Sequence, residues 1–271
     1  MAKNLWNEYI WQKQTYRELS KKYQKSIPWI RERLKSYHPE QQVLMPRPIV
    51  LIVDGFFFGR GIGIMLFRAE NLRKNIHWFS IGYETIADYL IGIDYLERNG
   101  WQIRAVVCDG RKGVKDALLS RYPLQMCQFH QLAIITRHLT RHPILPASIE
   151  LRVLSLSLTQ TNEVTFREKL DIWHLKWENF LKEKTVNIET KRWFYTHRRL
   201  RAAYRSLKTN LLFLFTYQKY PEFNIPNTAN SLEGSISHLR DKLRAHRGLK
   251  LTQRIKITGE LLKGKNPKNL H

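Results

Sequence analysis

The feature that most constrains the fold is a short, continuous apolar run, Ile49–Val53, which begins after Pro48 and ends in Asp54-Gly55. It is too short for a typical buried helix, and it is rich in β-branched residues. A run without polar alternation is typical of a strand that is buried on both faces. Such a strand requires helices on both sides of a sheet, so the sequence predicts an α/β domain.

Further elements follow the first strand in an order that fits a mixed sheet. Apolar segments predict strands at 61–67, 76–81, 103–108 and 124–129, and helical spacing predicts helices at 84–99 and 114–122. From residue 130 to about 214 the pattern is helical and rich in aromatic residues, with no clear strand. Three strands, a helix, a strand, a helix and a strand make a mixed α/β sheet.

The first forty residues predict a separate helical module. Thr15 and Glu18 have the spacing of a capping box, so a helix should begin at Tyr16. Ser26 is the expected N-cap of a second helix, and two helices around a tight turn form a helix-turn-helix at 1–38. The second helix carries Trp29, Arg31 and Lys35 off its apolar stripe, where they can reach DNA. The alternative is an ordinary helical hairpin with a solvated basic face.

Residues 39–47 contain Pro39 and Pro46 and are expected to form a linker to a domain at 48–262, and residues 263–271 a basic tail. The whole chain has 46 basic and 23 acidic residues, which gives a net charge of +23. A field this positive attracts polyanions, of which nucleic acid is the first candidate and an anionic membrane surface the weaker one. No apolar stretch reaches the roughly 18 residues of a spanning helix, and no signal peptide opens the chain. Cys108 and Cys127 do not indicate a disulfide framework, so a cytoplasmic setting is expected.

Two carboxylates are expected at the ends of strands. Asp54 ends the first strand and Asp109 ends the fourth, and each is followed by glycine. An Asp-Gly pair often forms only a turn. If the two strands are neighbours, however, the carboxylates converge, and a cation such as Mg²⁺ is needed to offset their repulsion.

Glu233 is the candidate for the third carboxylate that such chemistry normally needs. A helix is expected from about Asn230, with one apolar stripe and a second stripe that carries Glu233, Arg240 and Arg244. A carboxylate for metal beside arginines for phosphate suits the cutting of DNA. The alternative is a solvated charged face, with Glu233 near a helix N-terminus where anions are favoured.

Five short motifs occur in a fixed order along the chain. They are V-D-G at 53–55, C-D-G-R-K-G at 108–113, C-Q-F-H at 127–130, Y-T-H-R-R-L-R-A-A-Y at 195–204 and N-T-A-N-S-L-E-G at 227–234. This ordered set resembles the Mutator-related DDE transposases of bacterial insertion sequences. Relatives often carry a second asparagine where this chain has Ala229, and many have a cysteine-rich zinc-ribbon segment before the helix-turn-helix, of which this sequence has no counterpart.

The resemblance implies a ribonuclease-H-like mixed sheet with a helical insertion at about 131–225. It implies Asp54, Asp109 and Glu233 as the catalytic and metal-binding residues, with Mg²⁺ as cofactor and Mn²⁺ as a substitute. The implied partners are terminal inverted repeats and target DNA, with a homo-oligomer in the active state, and neither a membrane nor a small-molecule substrate. The implied location is the cytoplasm, in association with the nucleoid. The alternatives are a decayed transposase or regulator that binds DNA without cutting it, and a structure-selective nuclease.

Two further sets of residues have open interpretations. Cys127 and His130 are a signature near the site by resemblance, whereas the residues alone favour a buried cysteine on a strand and a capping histidine over a zinc site, which needs four ligands. In the insertion, Trp173 and Trp177 are expected in the core. Aromatic residues such as Trp193 beside Arg198 and Arg199 suit contacts with unpaired bases and DNA backbone, against a packed core with a basic outer face.

Overall fold

The computed structural model describes residues 1–37, 44–59, 61–245 and 251–263, and within them it contains a five-stranded mixed sheet. The strands stand in the order β3-β2-β1-β4-β5; β2 and β3 are antiparallel, and β4 and β5 are parallel. A separate hairpin pairs β6 with β7. The strands are β1 (Pro48–Gly59), β2 (Ile62–Ala69), β3 (Lys74–Ile81), β4 (Gln102–Cys108), β5 (Leu124–Met126), β6 (Lys184–Val186) and β7 (Trp193–Tyr195). The predicted mixed α/β class is confirmed.

The helices lie before, between and after these strands. They are α1 (Ala2–Trp11), α2 (Tyr16–Tyr23), α3 (Ile27–Ser36), α4 (Ile86–Arg98), α5 (Lys112–Leu118), α6 (Gln128–Leu139), α7 (Pro146–Leu156), α8 (Glu163–Lys182), α9 (Arg198–Leu214), α10 (Thr216–Lys219), α11 (Asn230–Ala245) and α12 (Leu251–Leu262). Short 3₁₀ turns occupy Ser157–Gln160 and Pro221–Phe223. Within the described ranges, no helix is long and apolar enough to cross a membrane.

The chain divides into two compact units. Unit 1 consists of Met1–Ile49, Asp54–Gln102 and the described residues from Asn230 on, and unit 2 consists of Val50–Val53 and Ile103–Ala229. The centre of β1 therefore belongs to unit 2 and its two ends belong to unit 1. The predicted linker at 39–47 lies partly outside the described residues, as does all of the predicted tail except Lys263.

The N-terminal helices of unit 1 begin where their capping residues predict. Thr15 accepts a hydrogen bond from the Glu18 backbone in a complete capping box, and Ser26 accepts one from the Trp29 backbone at 3.3 Å. The prediction of two helices in this segment was nevertheless incomplete. The additional helix α1 precedes them, and it buries Leu5 and Ile10 completely. Its apolar residues lack a capping signal, which is why the sequence did not indicate where a helix begins.

Unit 2 has its own helical core. Buried side chains from α6 to α9 form one cluster that includes Phe166, Trp173 and Leu207. Trp173 is buried, and Trp177 packs against the cluster partly buried, as the sequence predicted for this pair. Two predictions in this region were wrong. The strand expected at 124–129 ends at Met126, because Cys127 is the N-cap of α6, and the region expected to lack strands contains the β6–β7 hairpin.

Candidate functional site

Asp109 lies directly after β4, in a turn that its own side chain stabilises. Its Oδ1 accepts a hydrogen bond from the backbone N–H of Arg111 at 3.0 Å. Gly110 has φ of +80°, and a Cβ at this position would lie 2.4 Å from Sδ of Met126. The turn therefore requires glycine for two reasons, backbone conformation and close packing. A carboxylate has two oxygens with several lone pairs, so this turn is compatible with metal binding by the same side chain.

Asp54 lies within β1 and is half-buried. The following residue, Gly55, is closely approached by Glu84, since a Cβ at Gly55 would lie 3.0 Å from Glu84 Oε2. Glu84 is held by the Tyr89 hydroxyl, which donates to Oε1 at 2.5 Å. The sequence does not indicate a role for Glu84, because a glutamate just before a helix is common and its approach to β1 is a tertiary contact.

Glu233 lies in the first turn of α11, and its side chain is exposed. The predicted apolar stripe of this helix is confirmed, since Leu232, Ile236, Leu239 and Leu243 are all buried. The N-terminal turn is anchored within unit 1 by Ser231, whose hydroxyl donates to Glu70 and accepts from Nε of Arg68 at 3.3 Å. Burial lowers the pKa of Arg68 from its usual value. These hydrogen bonds hold the first turn of α11, which carries Glu233, in place within unit 1.

The two arginines predicted to contact DNA beside Glu233 share its exposed helix face. Arg240 and Arg244 are both exposed, and Arg244 lies 3.6 Å from the Asp241 carboxylate. An exposed pair at this distance contributes little stability, so it leaves the guanidinium available to a stronger anion.

Two lysines connect the C-terminal helices to the N-terminal ones within unit 1. Lys242 Nζ donates to the carbonyl oxygen of Trp11 at 3.2 Å, and Lys256 Nζ donates to those of Leu34 and Lys35 at 3.2 and 2.7 Å. These carbonyls belong to the last turns of α1 and α3, where a cation is favoured by the helix dipole. Burial lowers the pKa of both lysines.

The C-Q-F-H segment has a structural role that its sequence did not reveal. The Cys127 thiol is buried and accepts a hydrogen bond from the Ala229 backbone at 3.2 Å. Gln128 exchanges two hydrogen bonds with Asn227, one from its backbone N–H at 2.9 Å and one to its side-chain oxygen at 3.0 Å. The segment thus holds the residues that lead into α11. His130 lies in the first turn of α6 and is half-buried, so it does not cap the helix.

Among the residues that the structure describes, no three histidine, cysteine, aspartate or glutamate side chains are grouped so that they could hold a metal ion. Cys127 and His130, for which the residues alone favoured structural roles over zinc binding, are not part of such a group among the described residues. The roles of Asp54, Asp109 and Glu233 as metal ligands stay predictions.

The residues of α3 that were predicted to contact DNA are only partly available for that contact. Trp29 is half-buried, and two cations approach its ring, Arg33 at 5.3 Å and Lys25 at 5.9 Å. Arg31 and Lys35 are exposed, and the Arg31 guanidinium lies 5.1 Å from the Tyr16 ring centroid. Arg31 and Lys35 thus remain candidates for phosphate contacts, while Trp29 is already engaged by neighbouring side chains.

In unit 2, aromatic and basic residues alternate around the β6–β7 hairpin and the start of α9. Trp193 is exposed and lies below Lys184, whose Nζ is 4.1 Å from the ring centroid. Arg198 lies over Phe194 at 4.5 Å, and Arg199 donates to the carbonyl oxygen of Arg137 at 2.5 Å. Both arginines are exposed, so the predicted basic outer face is present.

Comparisons with known proteins add no family assignment. No protein-family model matches the chain, and no curated protein matches it.

Proposed function

We propose that this protein is a DNA transposase of the Mutator-related DDE type, with a ribonuclease-H-like catalytic domain. The observation that carries the proposal is the strand order β3-β2-β1-β4-β5. In this order the strand that contains Asp54 neighbours the strand that Asp109 follows. Two carboxylates from neighbouring strands are the arrangement from which two-metal phosphoryl transfer is usually built.

The donor chemistry of the proposed site fits Mg²⁺, with Mn²⁺ as a substitute. Asp54, Asp109 and Glu233 would supply the hard carboxylate oxygens that Mg²⁺ prefers. When bound, the metal would activate the attacking oxygen and stabilise the leaving oxygen of a phosphodiester. The turn around Gly110 restricts the Asp109 carboxylate, and the anchoring of Ser231 restricts the start of the helix that carries Glu233.

The remaining residues of the proposal bind and orient DNA. The N-terminal helices would recognise the terminal inverted repeats, and Arg240 and Arg244 would neutralise phosphates near the cut strand. Strand cleavage would release a 3′-hydroxyl that then attacks target DNA, so no covalent link to the protein is needed. We further propose that the active form is a homo-oligomer and that it acts in the cytoplasm on the nucleoid.

The second candidate is a regulator, or a decayed transposase, that binds the same DNA without cutting it. It is favoured by the absence, within the described ranges, of a group of three carboxylates that could hold a metal ion. It shares the charge of +23 and the basic surfaces with the first candidate. Only cleavage distinguishes the two.

The deciding experiment incubates the protein with DNA that carries the repeats flanking its own gene, in Mg²⁺ or Mn²⁺. Strand cleavage is expected, and Asp109→Asn should reduce it to background. The affinity of this variant for DNA should stay within about twofold of the parent protein, because the substitution removes one carboxylate charge that lies far from most phosphate contacts. The matched control is Asp116→Asn, an exposed aspartate on α5, which should cleave normally. Cleavage by Asp109→Asn would refute the proposed site. Binding without cleavage in either metal would establish the regulator instead.

A further inference from the structure

Helix α7 of unit 2 presents an apolar surface to solvent. All of the exposed residues between positions 144 and 156 are apolar, and they are Ile144, Leu145, Pro146, Ile149, Val153 and Leu156. Leu145, Ile149, Val153 and Leu156 follow one another at intervals of four, four and three residues, so they share one side of the helix. We call these four residues the α7 stripe. Val153 near its centre is 63% exposed.

The opposite side of α7 is also apolar, and it packs into the core of unit 2. Ala147 and Leu151 are fully buried there, within the cluster that α6 to α9 form. A helix that is apolar on both sides is typical of a position that is buried on both sides. Because α7 is buried on one side alone, the α7 stripe is the side on which a further partner is expected.

The two charged residues of α7 do not belong to the stripe, because both are bonded to neighbouring parts of unit 2. Glu150 accepts a hydrogen bond from Nζ of Lys176 on α8 at 2.7 Å. Arg152 donates to the carbonyl oxygen of Arg141 and to the hydroxyl of Thr136, each at 3.0 Å. The α7 stripe is therefore an uncharged surface on a chain whose net charge is +23.

Helix α8 widens this apolar surface. It lies against α7, since the indole N–H of Trp173 donates to the carbonyl oxygen of Ala147 at 3.1 Å. Ile172 and Leu175 are exposed on α8, within one turn of Lys176, which bonds to α7. A stable contact between proteins buries roughly 800 Å² on each partner, so a surface two helices wide suits such a contact better than one stripe.

We propose that the α7 stripe, extended by Ile172 and Leu175, is the contact between two copies of this chain. It gives a surface to the homo-oligomer of the proposed function and in that respect rests on it; the apolar character of the stripe does not. One stripe is enough for both copies, because a two-fold axis brings the same surface of each into contact.

The distribution of charge favours a second copy over other partners. Two molecules that each carry +23 repel one another, and a contact without charges adds nothing to that repulsion. An acidic partner would instead be drawn to the basic faces of the protein. A helix that lies on a membrane is typically rich in lysine and arginine beside its apolar face, whereas the single basic residue of α7, Arg152, is bonded within unit 2.

The test measures self-association of the full chain by sedimentation velocity over a series of protein concentrations, in EDTA and without DNA. The parent protein is expected to dimerise. Val153→Glu and Ile149→Glu should each raise the dimer Kd at least about thirtyfold, the effect of a hot-spot residue, because each carboxylate would be buried in an apolar contact. The matched control is Leu212→Glu, at a leucine of α9 that is 57% exposed, and it should dimerise like the parent.

A second measurement separates loss of the contact from loss of folding. Val153 is exposed, and glutamate is a better helix former than valine, so Val153→Glu should not weaken α7 itself. At protein concentrations where the parent is monomeric, the variant and the parent should therefore unfold at the same urea concentration. Val153→Ile keeps the side chain apolar and should restore dimerisation.

Salt gives an independent signature of an uncharged contact. Added NaCl screens the repulsion between two positively charged copies, so the dimer Kd of the parent should fall as the salt concentration rises. A contact held by ion pairs would weaken under the same change.

A parent protein that stays monomeric at every concentration, or a dimer that both glutamate substitutions leave unchanged, would overturn the proposal. Monomeric protein that binds phosphatidylcholine vesicles, and loses that binding in Val153→Glu, would overturn it in favour of a membrane surface. Because the measurements contain neither DNA nor divalent metal, a failure of strand cleavage would refute the transposase and leave the dimer standing.

Discussion

The turn after β4 offers a sharp test of the structure, through the substitution Gly110→Ala. Gly110 has φ of +80°, where an alanine Cβ meets its own backbone, and this conformation costs about 1–2 kcal/mol. The new Cβ would also lie 2.4 Å from Sδ and 2.6 Å from Cγ of Met126. Met126 is fully buried, so it can move only by disturbing its neighbours. Overpacking of this kind typically costs about 1–3 kcal/mol.

The two costs add to roughly 2–5 kcal/mol of lost stability. Gly61→Ala is the matched control, because Gly61 has φ of +70° and a Cβ there would have nothing within 4 Å. It should therefore lose only the backbone contribution, about 1–2 kcal/mol. The difference between the two variants isolates the contact with Met126.

Urea unfolding followed by tryptophan fluorescence gives both free energies. A double-mutant cycle with Met126→Ala completes the test, since removing the methionine side chain should recover about 1–3 kcal/mol of the cost of Gly110→Ala. Equal losses in Gly110→Ala and Gly61→Ala, or no coupling to Met126, would refute the packing described for this turn.

Two other predictions concern charge. Arg240 and Arg244 lie seven and eleven residues after Glu233, or roughly 10 and 17 Å along the helix axis. Arg240→Ala and Arg244→Ala should each lower the salt slope of DNA binding by about one unit without changing metal affinity, and unchanged slopes would identify a solvated surface pair. Burial lowers the pKa of His77, which stacks on Tyr95 at 4.1 Å. As the pH falls below about 6.5, the His77 imidazole is therefore protonated more readily in the unfolded chain than in the folded protein. The free energy of unfolding should consequently fall from pH 7 to pH 5. His77→Phe should flatten that decline, and an identical pH dependence in the variant would contradict this origin.

Local signals accounted for the parts of the fold that the sequence predicted well. The caps at Thr15 and Ser26 act within three residues, and the apolar stripe of α11 is set by helical spacing alone. The run at Ile49–Val53 identified a strand, although β1 continues beyond Asp54 to Gly59. Asp54 is therefore a position within the strand and not its end.

Contacts between distant residues account for what the sequence did not predict. The hydrogen bond from Ala229 to Cys127 joins residues 102 positions apart, so the function of the C-Q-F-H segment could not be read from spacing. The β6–β7 hairpin has strands of three residues, which are too short to show alternation. The contact between the Trp173 and Tyr204 rings joins α8 to α9, and neither helix indicates it alone.

The lysines that donate hydrogen bonds to the last turns of α1 and α3 are synthesised long after those helices. Lys242 lies 231 positions after Trp11, and Lys256 lies 222 positions after Leu34. At about 5–20 residues per second, a ribosome needs roughly 10 to 50 s to add that much chain. During this interval neither lysine is present to donate to the terminal carbonyls of the two helices. A nascent N-terminal module is therefore expected to fray at these turns, and to become fully protected from hydrogen exchange only after α11 and α12 have been made.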